Sequence, residues 1–292
     1  MNIVYICLPY FMKKMTEQIY PCFWFDGLAK AAADYYCTIF NNSNVISSNP
    51  LVVMFNLDGK KIMGLNGGPM YKINPSISLF VTCETIERTN KVWNKLIEGG
   101  RVYIPIDKHS WSERYGWLQD KFGVTWQISL VNNPGDKPKI TPSMLFTGKQ
   151  FGRAAEAIKL YSSLFENSST EMMFPYPVGD ANEGKVMFSV IKLNNYELIV
   201  MDGPGEHDYT FSEGVSFVVN CETQDEIDFY WNKFTGDGEE SMCGWLKDKF
   251  GVSWQIVPSI IGQLLSDPNK SQNVMTALLK MRKLDIKTLM EA

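Results

Sequence analysis

One phrase of the sequence occurs twice. Residues 116–130 are GWLQDKFGVTWQISL and residues 244–258 are GWLKDKFGVSWQIVP, with eleven of fifteen positions identical. A phrase written twice is typical of two copies of one structural unit rather than of one large fold. Because the copies lie 128 residues apart (244 minus 116), they are too distant for tandem solenoid repeats, and two diverged domains of about 120 residues fit best.

Two further phrases support this duplication. IYPCFWFDG at residues 19–27 returns as ITPSMLFTG at residues 140–148, and CETIERTNKVWNK at residues 83–95 returns as CETQDEIDFYWNK at residues 221–233. The offsets are 121 (140 minus 19) and 138 (221 minus 83), so insertions differ between the copies. We therefore predict a disordered N-terminal extension at 1–18, a first domain at 19–132, a linker at 133–138, a second domain at 139–258 and a helical tail at 259–292.

The hydrophobic pattern inside each copy alternates between strands and helices. Residues 28–40 place apolar side chains three and four positions apart, which predicts a helix. Asp58-Gly59 between two apolar runs predicts a hairpin turn, and Thr223 with Glu226 three positions later is typical of the capping box that begins a helix. Each domain therefore contains a strand, a helix and several strands, twice over, which gives four βαβββ units in the chain.

The repeated phrases resemble a known family. WFDG, CET, GWLKDKFGVSWQIVP and the tail sequence VMTALLKMRKLDIKTL are similar to the PhnB-like branch of the vicinal oxygen chelate superfamily, relatives of glyoxalase I and bleomycin-resistance proteins. The likeness extends from Ile19 to the end of the chain, and members of this branch often have the name demethylubiquinone 3-methyltransferase. The resemblance implies an α+β fold of two tandem glyoxalase-like domains. Each domain would consist of two βαβββ modules that form a cup-shaped mixed sheet, with helices outside and a ligand space within.

The resemblance also implies a metal site that this sequence does not reproduce. Metal-using members of the superfamily hold a divalent ion in the cup with His and Glu side chains, and the Glu of the last strand corresponds to Gln127 and Gln255. The first-strand His would fall near Tyr20 and Thr141, and neither histidine of the chain lies in a strand phrase. An amide is a poorer ligand than a carboxylate for such ions. We therefore predict no metal and no other cofactor, with a divalent metal as the open alternative.

Seven residues are candidates for lining the cups and contacting a ligand. They are Tyr20, Cys22, Trp24, Gln127, Thr141, Ser143 and Gln255. A second interpretation accompanies them: the glutamines would bond to a neighbouring strand, Trp24 would pack in the core, and Cys22 would be a small buried hydrophobe because no His or Lys accompanies it. No residue is identified as catalytic, because the sequence has no GxSxG, HExxH or phosphate-binding motif.

Three segments lie outside these phrases. His109 belongs to KHSWSER, a polar insertion of the first domain, which is either a lid over one cup or, as we predict, a surface loop. His207 in GPGEHDYTF is predicted to be a solvated loop residue. The tail begins like a capped helix at residues 266–268, and its apolar stripe between Val274 and Met281 predicts packing on the second domain rather than on a separate partner.

Composition argues against several classes of partner. The 292 residues, 45% of them hydrophobic and 21% charged, are enough for two separate cores. A net charge of −4 without a Lys/Arg run argues against nucleic acid. Six cysteines without a CxxC pair indicate a reducing cytoplasm. Lys13 and Lys14 follow the short apolar N-terminal run instead of preceding it, which argues against a secretory signal or a membrane span.

Two function classes remain. The first is a binding module whose cups hold a small, partly aromatic organic molecule, as resistance-type relatives do. The second is an enzyme of the glyoxalase or dioxygenase class with an altered or metal-free site, and a third interpretation is that one cup is collapsed. The sequence does not support methyl transfer, because the glycine-rich segments at 66–69 and 202–205 lead into strands, whereas a nucleotide-binding glycine turn leads into a helix. The duplication predicts an intramolecular pseudo-dimer, which is compatible with a monomer in solution.

Overall fold

A computed structural model gives the architecture of residues 18–131 and 139–292. The predicted N-terminal extension, except Gln18, and the predicted linker lie outside these described residues. Within the described ranges, four βαβββ modules follow one another along the chain, as the sequence predicts. No helix in these ranges is both long and apolar enough to cross a bilayer.

The first half of the chain forms two modules. Module 1 consists of β1 (Ile19–Phe25), α1 (Ala29–Ile39), β2 (Asn44–Ser48), β3 (Val52–Leu57) and β4 (Lys60–Asn66). Module 2 consists of β5 (Ile77–Cys83), α2 (Ile86–Leu96), β6 (Arg101–His109), β7 (Ser112–Gln119) and β8 (Thr125–Leu130). The predicted turn joins β3 to β4 with positive φ at Asp58 (50°) and Gly59 (82°), the backbone conformation that a tight hairpin requires.

The second half repeats this arrangement. Module 3 consists of β9 (Lys139–Phe146), α3 (Ala154–Leu164), β10 (Ser169–Pro175), β11 (Val186–Leu193) and β12 (Tyr196–Asp202). Module 4 consists of β13 (Val215–Cys221), α4 (Gln224–Thr235), β14 (Glu239–Glu240), β15 (Trp245–Lys247) and β16 (Ser253–Pro258). The predicted capping box begins α4: the Glu226 backbone N–H donates to Thr223 Oγ1 (3.2 Å), and the Glu226 carboxylate accepts from the Thr223 backbone N–H (3.3 Å).

The strands form two eight-stranded mixed sheets. Sheet A has the strand order β14-β15-β16-β13-β1-β4-β3-β2 and combines modules 1 and 4. Sheet B has the order β10-β11-β12-β9-β5-β8-β7-β6 and combines modules 2 and 3. Antiparallel strands join the two modules of each sheet, with Pro21 beside Phe217 in sheet A and Leu79 beside Pro142 in sheet B. The predicted fold class is confirmed, with one difference: each half of the chain contributes one module to each sheet and closes neither sheet alone.

The helices pack on one face of each sheet, and one hydrophobic core connects the two sheets. Phe23 of β1 belongs to the same buried cluster as Tyr36 of α1. The ring of Trp126 in sheet B lies 5.1 Å from the ring of Tyr36 and 5.4 Å from that of Phe40, although both of these belong to module 1 of sheet A. The two modules of one repeat therefore contact each other through their helix layers while their strands belong to different sheets.

Two segments differ from their predicted form. The polar insertion around His109, predicted as a surface loop, forms the end of β6, a turn and the start of β7, a hairpin at the edge of sheet B. The tail forms α5 (Ile261–Ser266), α6 (Ser271–Leu278) and α7 (Ile286–Glu291). Helix α6 begins later than predicted because the Asp267 carboxylate accepts from the Asn269 backbone N–H and holds a turn there.

The tail packs on module 4. The backbone N–H groups of Cys243 and Gly244 donate to the carbonyl oxygens of Met281 (2.7 Å) and Arg282 (2.8 Å). An apolar cluster of the tail also contacts Val257 of β16. Just before β15 the tail thus takes the place that β6 takes in sheet B, where Asp107 pairs with Tyr115, while β14 pairs with β15 itself.

Candidate functional site

The structure divides the seven predicted residues between the two sheets. We call the face of each sheet opposite the helices its cup face. On the cup face of sheet A lie Tyr20, Cys22, Trp24 and Gln255. On the cup face of sheet B lie Gln127, Thr141 and Ser143. The residues that alternate with them, including Phe23, Trp126 and Trp254, belong to the helix-packed core. Tyr20 and Gln127, which come from the same half of the chain, are therefore in different cups.

Both cup faces are concave. Neighbouring strands lie about 4.8 Å apart, so strands three positions apart in a flat sheet would be separated by about 14 Å. The ring centroids of Trp24 on β1 and Trp245 on β15 are only 5.9 Å apart, and those of Phe80 on β5 and Phe188 on β11 are also 5.9 Å apart. Each sheet therefore curls around its own cup-face side chains, which buries them without a covering layer of helices.

The floor of the sheet A cup is apolar. Tyr20, Cys22 and Val218 are exposed by only 6%, 1% and 1%. Partly buried side chains surround them: Met54, Met63, Leu65 and Val257. Burial raises the pKa of the Cys22 thiol to about 12 and also raises the pKa of the Tyr20 hydroxyl, so both groups are uncharged at neutral pH. The thiol is therefore not an activated nucleophile.

Two polar groups border this floor. The Tyr20 hydroxyl donates to Asn220 Oδ1 at 3.3 Å. The Lys61 ammonium group lies 4.1 Å from the centre of the Tyr20 ring, within the range of a cation–π contact. The tyrosine thus faces the cup between an amide and a positive charge.

Aromatic rings cover the mouth of the sheet A cup. The Trp24 ring lies 4.9 Å from that of Tyr71 and 5.9 Å from that of Trp245, in edge-to-face arrangements. The indole Nε1 of Trp24 donates to the Gly68 carbonyl oxygen at 2.7 Å. A Cβ at Gly67 would lie 2.1 Å from the Trp24 ring, so only glycine permits this packing. The predicted ligand contact Trp24 is therefore a packed and hydrogen-bonded residue of the mouth.

The two glutamines bond to the strands beside them. Gln127 Nε2 donates to Ser78 Oγ at 2.9 Å, and Gln255 Nε2 donates to Ser216 Oγ at the same distance. The carbonyl oxygen of Gln127 also accepts from the Tyr115 hydroxyl at 2.7 Å. The second interpretation of these residues, cross-strand hydrogen bonding, thus describes their observed contacts.

The sheet B cup has aromatic walls that sequence reasoning missed. The Phe80 ring lies 6.3 Å from that of Tyr115, whose ring lies 5.4 Å from the His109 imidazole. Trp111 stacks on His109 at 4.8 Å. Burial raises the pKa of the Tyr115 hydroxyl, which stays protonated at neutral pH. Alternation along the strand from Gln127 assigns residues to the cup face only within β8. Phe80 lies on β5, so its position beside Gln127 follows only from the order of the strands.

One aspartate in each copy of the repeated phrase forms a structural joint outside the cups. Asp248 is 3% exposed, and its carboxylate accepts four hydrogen bonds, from Tyr161 Oη, Trp254 Nε1 and the backbone N–H groups of Phe250 and Val252. Asp120 has the same four kinds of donor in the first copy, from Tyr36, Trp126, Phe122 and Val124. Burial raises the pKa of both carboxyl groups, and the hydrogen bonds oppose this shift. Four donors match an ionised carboxylate.

The second histidine lies in a loop beside module 3. An open cleft of about 670 Å³ there is lined by Gly148, Gly205, Glu206, His207 and Asp208. The His207 imidazole Nε2 lies 3.1 Å from the Pro204 carbonyl oxygen, and its ring lies 5.0 Å from that of Tyr209. His207 thus lies in a loop at an open cleft, and local contacts half-bury its imidazole.

The donor set of the cups does not fit the metal centre that the resemblance implies. Among the described residues, no group of three or more His, Cys, Asp or Glu side chains lies close enough together to hold an ion. At the positions implied for Glu, the amides of Gln127 and Gln255 are bonded to serines. At the positions implied for His are Tyr20, which bonds to Asn220, and Thr141. No step of a reaction is therefore derived through a metal ion.

Comparison with solved structures finds proteins that are similar to this chain. The PhnB protein from Bacillus cereus is 31% identical, and the match covers 38% of this chain and 96% of that protein with a TM-score of 0.36. Glyoxalase I from Zea mays is 11% identical over 81% of this chain and 90% of its own, with a TM-score of 0.52. A point mutant of that maize enzyme is 12% identical over 82% of this chain and 94% of its own, with a TM-score of 0.51. At such low identity, the glyoxalase I match shows the fold alone.

Comparison with family models identifies the family. No curated protein matches this sequence. The family model described as 3-demethylubiquinone-9 3-methyltransferase matches residues 17–129 and 138–257, one segment for each repeat. These two segments make up most of the chain. The protein therefore belongs to the 3-demethylubiquinone-9 3-methyltransferase family, the PhnB-like family that its repeated phrases resemble.

Proposed function

We propose that the protein binds a small, partly aromatic organic molecule on its cup faces, without the metal centre of its metal-using relatives. The observation that supports this most directly is the burial of cup-face side chains that no helix covers, such as Cys22 in sheet A and Ser143 in sheet B. A concave, mainly apolar surface with a few polar groups is the usual form of a small-molecule site. The two sheets offer one such surface each.

The side chains of both cups suit a flat, partly aromatic ligand. Trp24 and Tyr71 border one cup, and Phe80 and Tyr115 border the other. Aromatic rings stack on one another or meet edge to face at distances like those observed among these residues. The other polar groups beside them are neutral hydroxyls and amides, apart from Lys61 in the sheet A cup and two ion pairs near the sheet B cup, so hydrogen bonds would orient the ligand.

A second candidate is an enzyme of the glyoxalase or dioxygenase class with an altered, metal-free site. One observation favours it: the imidazole of His109 lies beside Tyr115 at one end of the sheet B cup. A histidine that reaches a bound molecule can act as a general acid or base near neutral pH. The two candidates differ in outcome, because an enzyme converts its ligand and His109→Ala would abolish conversion while leaving binding measurable.

The family name suggests methyl transfer to a demethylubiquinone, and two segments of the chain bear on it. Residues 66–69 and 202–205 are rich in glycine, and a dinucleotide-type site places such a turn at the start of a helix. Here both segments lead through loops into strands β5 and β13. These residues do not fit a doubly wound cofactor site, and we derive no methyl transfer from them.

Two measurements test the proposal. After dialysis against a mixture of divalent metals, elemental mass spectrometry should find far less than one equivalent of any transition metal per chain. A thermal-shift screen of neutral aromatic compounds should find members that raise the unfolding temperature saturably, because a ligand that binds only the folded state stabilises it. One retained equivalent of metal, or a screen in which no aromatic compound stabilises the protein, would contradict the proposal.

A further inference from the structure

The two cups differ at their mouths. The phrases IYPCFWFDG and ITPSMLFTG place Trp24 in sheet A and Leu145 in sheet B at the same position. In sheet A, Trp24 contacts Trp245 and covers the mouth. In sheet B the smaller Leu145 has no ring to bridge to Trp117, which contacts Tyr103 instead. The sheet B cup therefore lacks the equivalent of the Trp24–Trp245 contact across its mouth.

The sheet A cup is also closed at the end near the tail. Val257 on its cup face packs both with the cup floor and with the apolar cluster of the tail. The repeated phrase places Ser129 at the equivalent position in sheet B, 128 residues earlier. Ser129 Oγ donates to Ser112 Oγ at 3.2 Å in the β6–β7 hairpin. The sheet A cup thus has the apolar side chain of Val257 where the sheet B cup has the hydroxyl group of Ser129.

Buried polar atoms without partners are concentrated on the sheet B side. His109 Nε2, Trp117 Nε1 and Ser143 Oγ are buried and have no hydrogen-bond partner, and Ser143 is only 1% exposed. On the described cup face of sheet A, Ser253 Oγ is in the same state, whereas the Trp24 indole is hydrogen-bonded. A buried polar atom without a partner is unfavourable unless a bound molecule supplies one.

The rim of the sheet B cup is apolar and open to solvent. Met172 and Phe174 of the edge strand β10 are 43% and 51% exposed. They pair with Val190 and Phe188, which continue into the wall that contacts Phe80. The equivalent edge strand of sheet A, β2, exposes one large apolar side chain, Ile46, and its next residue Ser47 pairs with Met54 of β3. Exposed apolar side chains that adjoin a concave surface are typical of a binding site.

Charge and hydrogen-bonding chemistry define the ligand. The charged residues near this cup pair with each other, Lys192 with Glu171 at 3.0 Å and Lys139 with Glu197 at 3.6 Å, so no unpaired charge among these residues favours an ion. The indole N–H of Trp117 can only donate, which requires an acceptor on the ligand. The aromatic walls favour a flat ring system.

We propose that the sheet B cup is the binding site and that its ligand is a neutral, flat aromatic molecule with a hydrogen-bond acceptor such as a carbonyl oxygen. Trp117 Nε1 donates to that acceptor, Ser143 Oγ offers a second unpaired polar group in the cup, and Phe80 and Phe188 contact the ring system. The sheet A cup, closed by Trp24 and the tail, completes the fold. This inference rests on the small-molecule function proposed above and adds the cup and the chemical class of the ligand.

Fluorenone and fluorene form a matched pair of probes, because they are flat and neutral and differ by one carbonyl oxygen. Affinity and stoichiometry would be measured by calorimetric titration of the full chain. The eight tryptophan indole N–H signals would be followed by NMR, with Trp117→Phe to assign one of them. We expect the protein to bind one equivalent of fluorenone per chain and the NMR signal of the Trp117 indole N–H to shift on binding. The affinity for fluorene should be about five- to tenfold lower, which is the effect of one lost hydrogen bond.

Substitutions at the mouths distinguish the two cups. Leu145→Trp gives the sheet B cup the residue that closes the sheet A cup, and we expect at least about a tenfold loss of fluorenone affinity. The Trp24→Leu variant should still bind at least one equivalent of fluorenone. Leu279→Trp is the matched control, because Leu279 is exposed in the tail and the variant should bind like the parent. Thermal unfolding of each variant would verify that it folds.

The outcomes separate the two proposals. Fluorenone binding that survives Leu145→Trp, is lost in Trp24→Leu, or leaves the Trp117 signal unshifted would overturn the choice of cup and leave the small-molecule function intact. Equal binding of fluorenone and fluorene would overturn the role of the acceptor. If neither probe binds the parent or any folded variant, both this inference and the proposed function are contradicted.

Discussion

Replacing Asp248 with Asn should lower the free energy of unfolding by about 2–4 kcal/mol. Oδ2 accepts from Tyr161 Oη at 2.6 Å and from Trp254 Nε1 at 3.0 Å, while Oδ1 accepts from two backbone N–H groups. An amide keeps one oxygen for the backbone pair and turns an NH₂ group toward the other side. The tyrosine hydroxyl can rotate and accept from this NH₂ group, but the indole N–H cannot.

The magnitude follows from these contacts. The variant loses a hydrogen bond to a charged acceptor, about 1.5–3 kcal/mol, and leaves the buried indole N–H of Trp254 unsatisfied, about 1–3 kcal/mol. Removing the buried charge offsets part of this loss, because an ionised carboxylate is unfavourable in an apolar environment. The net value therefore lies below the sum of the two losses.

The duplication provides the matched variant. Asp120 accepts from Tyr36 at 2.6 Å and from Trp126 at 2.8 Å, so Asp120→Asn should cost about the same as Asp248→Asn. Urea unfolding followed by tryptophan fluorescence would measure both. Asp34→Asn is the control, because Asp34 is in an exposed ion pair with Lys30, worth about 0–1 kcal/mol. If the free energies of unfolding of Asp120→Asn and Asp248→Asn both lie within about 0.5 kcal/mol of the parent value, the two carboxylates do not stabilise the joint.

The sign of the pH effect is fixed by the same carboxyl groups. Burial raises the pKa of Asp120 and Asp248 above the value of 3.8 for a free aspartate. The folded state therefore binds the proton more tightly than the unfolded state, and each group contributes less stability as pH rises from 3.8 through its folded pKa. The cost of each Asp→Asn substitution should be larger in urea titrations near pH 4 than near pH 7, and a cost that grows with pH would refute this.

Three further predictions concern other parts of the chain. The Cys22 thiol, whose pKa burial raises to about 12, should resist iodoacetamide near pH 8 for hours while the half-buried Cys37 reacts, and mass spectrometry of tryptic peptides would check this. Gly116→Ala should cost about 1–3 kcal/mol in urea unfolding, because the added Cβ would lie 2.5 Å from the Trp93 ring. Removing residues 267–292 should lower the midpoint of thermal unfolding by more than about 5 °C, since module 4 loses its backbone partners in the tail; an unchanged midpoint would mean that the tail does not stabilise the fold.

Local elements could be predicted from the sequence because their causes are local. The capping box at Thr223 and Glu226 and the turn at Asp58-Gly59 depend on residues within one turn of the chain. The order of strands in the sheets could not be predicted, because β1 joins β13 through backbone hydrogen bonds that do not depend on side-chain identity. Strand β5, the equivalent of β13 in the first repeat, has a similar apolar pattern and would pair equally well.

The candidate site was predictable only along single strands. Alternation with Trp126 places Gln127 on the cup face, as the sequence suggests. Its partners Ser78 and Tyr115 come from neighbouring strands, and Thr141 lies beyond Phe80 in the other half of the chain. Thr141 is a neighbour because each sheet combines modules from the two halves of the chain. No spacing in the sequence indicates this combination.

The position of the repeated phrase explains why it is nearly identical in both copies while the cups differ. Asp120 belongs to module 2 and accepts from Tyr36 of module 1, and Asp248 of module 4 accepts from Tyr161 of module 3. Each phrase thus joins the two modules of one repeat across the gap between the sheets.

Each cup, in contrast, is built from modules of different repeats, and each module contributes to one cup only. Trp24 and Leu145 occupy equivalent positions in the two repeats. A substitution at either position therefore changes one cup and leaves both joints and the other cup intact. The two cups can differ in shape and chemistry without loss of the fold. Differences between equivalent positions of the repeats, such as Leu145 against Trp24 and Ser129 against Val257, are therefore where the ligand specificity of this protein should be sought.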